Sequence, residues 1–171
     1  MSPKVYIMVG LSGSGKTKIA REIAEDRGAD YWGLNKIRVQ YAADHGIIPD
    51  RLPLWEEPDS DTYQKVYQFC QDNLEDFYVY SNRSLAWTLY RAREGGVIVL
   101  DNMHLSAKAR KNLIRRTKLE KENIQLVFVD TPVEICKTRS TRRIPEEHWT
   151  RHIEEFDYAS ADENVKIIKG Y

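Results

Sequence analysis

The residues best placed to do chemistry lie near the start of the chain. Gly10-Leu-Ser12-Gly13-Ser14-Gly15-Lys16-Thr17 sets glycines, a lysine and a hydroxyl in the G-x-x-x-x-G-K-[ST] order. Such a loop turns its backbone N–H groups inward around an anionic phosphate, because glycine permits the backbone angles this requires. Ser12, Gly13, Ser14 and Gly15 are the expected cradle. Lys16 is placed to reach the β- and γ-phosphates, and Thr17 to offer its hydroxyl to Mg²⁺. The flanks agree with that reading. Lys4 to Val9 is a short apolar run suited to a buried strand, and Lys16 to Asp26 sets Ile19, Ala20, Ile23 and Ala24 at helical spacing. A helix starting at Lys16 also points its positive dipole end at the bound anion.

Phosphoryl transfer needs two further things: a carboxylate for the metal, and positive charge on the migrating group. Val97-Ile-Val-Leu100-Asp101 is an apolar run ending in an acid. It reads as a buried parallel strand that delivers Asp101 to its C-terminal edge, where open α/β sheets bind ligands. Asp101 is the candidate to hold Mg²⁺ through water or to orient the acceptor; a strand-end cap is the plainer alternative. Arg139 and Arg143 lie four apart on an expected helix and so share one face, with Arg142 beside them. They are candidates for the charge clamp, although the same spacing fits an exposed basic face.

The elements that must position these groups follow in order. Asp30 to Leu34 reads as a second strand, and Asn35 as the N-cap of a helix carrying Ile37, Val39 and Tyr41. Gly46, Pro49, Pro53 and Pro58 make residues 46–60 a loop. Residues 61–94 are helical in pattern, and Ser81-Asn82 is the place to divide them into two helices. Tyr63, Tyr67, Phe69, Phe77, Tyr78, Tyr80, Trp87 and Tyr90 crowd this stretch. Most are expected in the core, with one or two left to line a base-stacking surface. Ser106 caps a basic helix to about Lys121, and Ile124 to Val129 is another buried strand, followed by Asp130. Pro132 opens a helix to about Arg142 and Pro145 opens the next. Val165 to Ile168 is a last short strand. This alternation predicts a doubly wound α/β fold with a parallel core, in a single domain over residues 1–171. The pattern alone leaves ATPase, GTPase and kinase open.

With 26 basic and 26 acidic residues, the net charge says nothing about a nucleic-acid partner. Its distribution is uneven: residues 44–76 are acidic and residues 108–151 basic. That suits a phosphate-facing side, but solvated helix faces account for most of it. Cys70 and Cys136 are too few for a disulfide framework and fit no metal spacing, and Cys136 is expected to be packed. No signal peptide or membrane-length apolar run is present, so a soluble, cytoplasmic protein with no membrane partner is expected.

Behind the glycine loop come Asn35-Lys-Ile-Arg38, then Asp101-Asn-Met-His-Leu-Ser-x-x-x-Arg110, then Cys136-x-x-Arg139-Ser-x-x-Arg143. In this order the blocks resemble the polynucleotide 5′-hydroxyl kinase branch of P-loop kinases, over nearly the whole chain. The resemblance implies a five-stranded core with flanking helices and an arginine-bearing lid. It further implies use of ATP and Mg²⁺, with Arg139 and Arg143 on the ATP phosphates and Arg38 on a substrate phosphate. The partner it implies is DNA or RNA bearing a 5′-OH.

Two positions depart from that family. Where it carries an aspartate as general base, this chain has Asn35, and an amide cannot take a proton. Losing a general base costs about 10²–10⁴ in rate, less where the transition state is loose. Either the position is inactivating, or Asn35 only orients the hydroxyl and Asp101 takes the proton. His104 replaces an asparagine and is read as a substrate hydrogen-bonder or an exposed strand-end residue. A hydroxymethylpyrimidine base in DNA, a nucleoside or other small alcohol, and a nucleotide-binding module without catalysis are the alternatives. A guanine-reading N-K-x-D motif is absent, since Asn35-Lys36 is followed by Ile-Arg.

Overall fold

The computed structural model describes residues 3–49, 52–140, 144–159 and 163–170. Its centre is a five-stranded sheet in the order β2-β3-β1-β4-β5. The strands are β1 (Val5–Val9), β2 (Asp30–Gly33), β3 (Ile98–Asp101), β4 (Ile124–Asp130) and β5 (Val165–Lys169). β1 runs parallel to both β3 and β4, and β4 runs parallel to β5. β1 is buried along its whole length, which is why it reads Val-Tyr-Ile-Met-Val without alternation. The α/β architecture is that of a P-loop kinase, as expected.

The chain packs as two compact units, Met1–Tyr31 with Leu89–Tyr171, and Trp32–Thr88. The first holds most of the sheet with helices α1 (Lys16–Arg27), α5 (Ala107–Thr117), α6 (Val133–Arg139) and α7 (Glu146–Glu154). Ile7, Met8, Ile98, Leu100 and Leu126 form its centre. A satellite cluster of Leu11, Leu105, Cys136 and Trp149 lies under the glycine loop's first turn and the C-terminal helices. Ser106 caps α5 as expected, its Oγ accepting from Ala109 N at 3.2 Å. The expected helix to about Arg142 is shorter: α6 ends at Arg139, because Ser140 leaves helical geometry for an extended conformation, and residues 141–143 lie outside the described residues.

The second unit is helical, with α2 (Leu34–Asp44), α3 (Ser60–Asp72) and the first part of α4 (Leu74–Arg93). Its core is aromatic. Tyr41, 2% exposed, has the rings of Phe69, Phe77 and Tyr80 at 5.2–5.5 Å. Asp59 starts α3 by accepting from the N–H groups of Asp61 and Thr62.

Four expectations are corrected here. The long helical stretch divides at Asn73, not at Ser81-Asn82. Asn73 leaves helical geometry and donates from Nδ2 to Phe69 O at 2.9 Å, whereas Ser81 and Asn82 both bond back to Tyr78 O inside α4. Asn35 does not cap α2: Gly33 holds that place, and Asn35 lies inside the first turn with its side chain engaged elsewhere. The aromatic run is less buried than expected, because Tyr67, Tyr78, Trp87 and Tyr90 are exposed. Arg110, counted among the basic helix faces, is 0% exposed.

Candidate active site

The Met1–Tyr31 and Leu89–Tyr171 unit gathers most of the expected site. The loop from β1 into α1 is shaped for an anion by close contacts. A Cβ on Gly13, at φ +75°, would lie 2.2 Å from Cys136 O, so glycine is required there. The Ser14 carbonyl accepts from Thr131 Oγ1 at 2.9 Å, which fixes the back of the loop. Ser14 Oγ is buried with no hydrogen-bond partner. An orphaned hydroxyl in a cradle of N–H groups is what a phosphate oxygen would satisfy. Lys16 is buried, and its Nζ donates to Leu11 O at 2.6 Å within the loop itself. Gly15 precedes α1 in the left-handed region, with Ser12 before it on the same turn.

Asp101, 7% exposed, ends β3 at this loop. Its Oδ2 accepts from Thr17 Oγ1 at 2.7 Å and from Tyr31 OH at 2.7 Å. A hydroxyl and a carboxylate are hard oxygen donors of the kind Mg²⁺ takes. Among the described residues no cluster of three or more His, Cys, Asp or Glu could hold a metal. Mg²⁺ commonly relies on one or two protein groups plus phosphate and water oxygens, so the donor set fits it. Tyr31 carried no sequence signal, because its partner is 70 residues away.

The turn after β3 is built with care. His104 sits at φ +46°, unusual for a side-chain-bearing residue and costing about 1–3 kcal/mol. Its Nδ1 bonds Met8 O at 2.8 Å, and since a carbonyl only accepts, that nitrogen carries the hydrogen. Burial pushes the imidazole below its usual range, with Lys16 adding to the effect and the Met8 bond and Asp101 charge opposing it. Arg110 locks the turn: it donates to Leu105 O at 2.7 Å and His104 O at 3.2 Å, and pairs with Glu163 at 2.9 Å. His104 is thus half-buried and structurally tied, not a solvated strand-end residue.

Arg139 is exposed at the end of α6 and donates to the Gly170 carbonyl. Arg143, expected to share its face, lies outside the described residues. Burial pushes the thiols of both cysteines up, Cys70 to about 11, so neither is poised as a nucleophile.

Asn35 and Arg38 belong to the Trp32–Thr88 unit. Arg38 donates to Asn35 Oδ1 at 2.9 Å, and Tyr63 OH donates to the same oxygen at 2.9 Å. The Arg38 guanidinium lies 5.4 Å from the Tyr67 ring centre and 5.9 Å from that of Phe77. Tyr63, expected in the core from its spacing, is buried and also bonds the Asn35 side chain.

The parallel sheet, the glycine loop and the Thr17–Asp101 pair define a kinase-like P-loop domain. The chain belongs to the AAA domain family, whose model matches residues 5–159. No curated protein sequence matches it. Among solved structures it resembles a sugar kinase from Janibacter sp. HTCC2649, with a TM-score of 0.62 at 20% identity over 98% of this chain and 86% of that one. It also resembles a gluconokinase from Sinorhizobium meliloti 1021, with a TM-score of 0.56 at 16% identity over 98% and 82%. At these identities the likeness is one of fold. A P-loop of this kind implies nucleotide binding. Among the described residues no helix is long and apolar enough to cross a membrane.

Proposed function

We propose that this protein is an ATP- and Mg²⁺-dependent kinase that phosphorylates a hydroxyl of a nucleic acid, the 5′-OH of DNA or RNA. The observation that carries the kinase reading is the meeting of Thr17 and Tyr31 on one oxygen of Asp101 beside the glycine loop. In this reading Ser12 to Gly15 and Lys16 bind the phosphates, and Thr17 and Asp101 hold Mg²⁺, which when bound screens the β- and γ-phosphate charge. Arg139, with Arg143, embraces the transferring group. The acceptor oxygen attacks the γ-phosphorus, the bond to the β–γ bridging oxygen breaks, and ADP leaves with that electron pair. The alcohol's proton passes to Asp101, whose Oδ1 is left over when Thr17 and Tyr31 both bond Oδ2.

The nucleic-acid acceptor rests on the order of the sequence blocks and on Arg38, set against Tyr67 and Phe77. Tyr67, Tyr78 and Trp87 expose ring surface, which suits base stacking. A small-molecule acceptor is the second reading, favoured by the sugar kinase and gluconokinase that share the fold. A hydroxymethylpyrimidine in DNA offers a similar primary alcohol.

Transfer from γ-labelled ATP with Mg²⁺ tests these directly, with a 5′-hydroxyl oligonucleotide, a duplex carrying hydroxymethylpyrimidine, and gluconate as acceptors. Label on the 5′ end is the expected result. Label on the modified base or on gluconate alone moves the acceptor accordingly. Binding of ATP with no label on any acceptor overturns the kinase reading in favour of a non-catalytic module.

A further inference from the structure

Asn35 is the position at which this chain departs from the aspartate base its resemblance implies, and the geometry around it assigns it a different task. Arg38 can only donate, so the side-chain atom it meets at 2.9 Å must be the amide oxygen. Tyr63 OH donates to that same oxygen at 2.9 Å. Both lone pairs of Oδ1 are therefore taken, and the amide cannot flip without setting its N–H groups against a guanidinium. What remains is Nδ2, which makes no hydrogen bond among the described residues. Asn35 is half-buried, so this nitrogen is not sealed from a ligand.

Arg38 shows the same one-sidedness. Two rings lie near its guanidinium, Tyr67 at 5.4 Å and Phe77 at 5.9 Å, and its buried Nε has no partner among the described residues. A buried donor without a partner is costly, which argues that the arginine serves more than packing. The cluster thus holds an unengaged donor, Asn35 Nδ2, beside the positive charge of Arg38.

We propose that Asn35 is a hydrogen-bond donor to an oxyanion carried by the acceptor molecule, seated with Arg38 in a frame of Tyr63, Tyr67 and Phe77, and is not a disabled base. For a nucleic acid the oxyanion is the phosphodiester next to the accepting hydroxyl; for a small acid alcohol it is a carboxylate. An aspartate at this position would offer no N–H donor to either one and would lower the positive charge of the pair it forms with Arg38. The word acceptor rests on the kinase reading above, so the test reads binding, which needs no transfer.

Fluorescence anisotropy would follow a 5′-hydroxyl oligonucleotide on the full chain, with a non-hydrolysable ATP analogue present. Native protein, Asn35→Ala and Asn35→Asp would be compared, each with an ordinary oligonucleotide and one whose first linkage is a neutral methylphosphonate. Both variants should weaken binding about tenfold, the value of one hydrogen bond to a charged group. The neutral linkage should cost native protein a similar factor and cost the variants little. Affinity for the ATP analogue should stay within about twofold, which also shows that the variants fold. If gluconate binds with this dependence on Asn35 and the oligonucleotide does not, the seat stands and the nucleic-acid reading falls. Undiminished binding by Asn35→Ala, or equal binding by Asn35→Asp with at least about a hundredfold gain in transfer, would overturn the proposal and restore Asn35 as a lost base. Binding of neither ligand would also overturn it.

Discussion

The two units of this protein solve the problem of positioning polar groups in different ways. In the Met1–Tyr31 and Leu89–Tyr171 unit, backbone does most of the work. The glycine loop hangs between a fully buried strand and a helix, and Asp101 stands at a strand end, so their places follow from the sheet. In the Trp32–Thr88 unit, side chains position one another. Asn35 is oriented by Arg38 and Tyr63, and Arg38 by the rings of Tyr67 and Phe77, of which Phe77 belongs to the cluster around Tyr41. A backbone-built site tolerates change in its neighbours. A side-chain-built site can be retuned by a single substitution, and Asn35, one of the two positions at which this chain departs from the family it resembles, lies there.

Several variants would break or sharpen this contrast. The largest effect is expected at Arg110→Ala. It strands Glu163, which is 3% exposed, without its partner, and removes the donors that hold His104 and Leu105. Urea unfolding should show a loss of about 3–5 kcal/mol, and Arg110→Met a smaller one. Lys16→Ala should lower phosphoryl transfer about 10²–10³-fold in steady-state assays while leaving the urea midpoint nearly unchanged, since its role is electrostatic. Tyr41→Ala removes the centre of the aromatic cluster and should cost about 3 kcal/mol. Hydrogen exchange should place the loss in α2 and α3, with β1 and β4 still protected. Loss of protection in β1 to the same extent would deny the side-chain-built unit its own core.

Gly13→Ala tests the backbone side of the contrast. The added methyl meets Cys136 O at 2.2 Å from a left-handed residue, so the loop must shift. Strain of about 1–3 kcal/mol corresponds to roughly 5–150-fold weaker ATP binding, measurable by calorimetry. The smallest effect is pH dependence. His104 and His152 both have pKa values lowered by burial from 6.5. The unfolded chain therefore binds protons first as pH falls. Stability from these groups should be complete above about pH 7, and should decline as pH drops below about 6.5 toward the lowered native values. Urea midpoints at several pH values should show this decline, and it should flatten in His104→Asn with His152→Asn.

The parts of this account that were readable in sequence were the local ones. Residues 10–17 are consecutive, and their flanking strand and helix are each coded within a dozen residues. Asp101 was readable because an apolar run stops at it. Tyr31 on Asp101, Tyr63 on Asn35 and Glu163 on Arg110 are contacts 70, 28 and 53 residues apart, with no periodic trace. Arg110 looked like any basic helix residue because its ion-pair partner Glu163 is 53 residues away and the turn whose carbonyls it bonds has no periodic pattern. The helix division was misplaced because Ser81 and Asn82 satisfy their side chains on Tyr78 O within the helix, whereas Asn73 uses its own to close the preceding one. Four of the eight rings are exposed where the pattern predicts only one or two, because a helix pattern cannot tell a buried face from a solvent-facing one.

The proposed function assigns ATP to the glycine-loop unit and the binding of the acceptor's charged group to Arg38 in the Trp32–Thr88 unit. The most direct test is the pair of KM values, for ATP and for the 5′-hydroxyl oligonucleotide, in Arg38→Ala beside native protein. The account predicts a rise of about tenfold or more in the oligonucleotide KM, with the ATP KM within about twofold. A raised ATP KM with the oligonucleotide KM unchanged would contradict it.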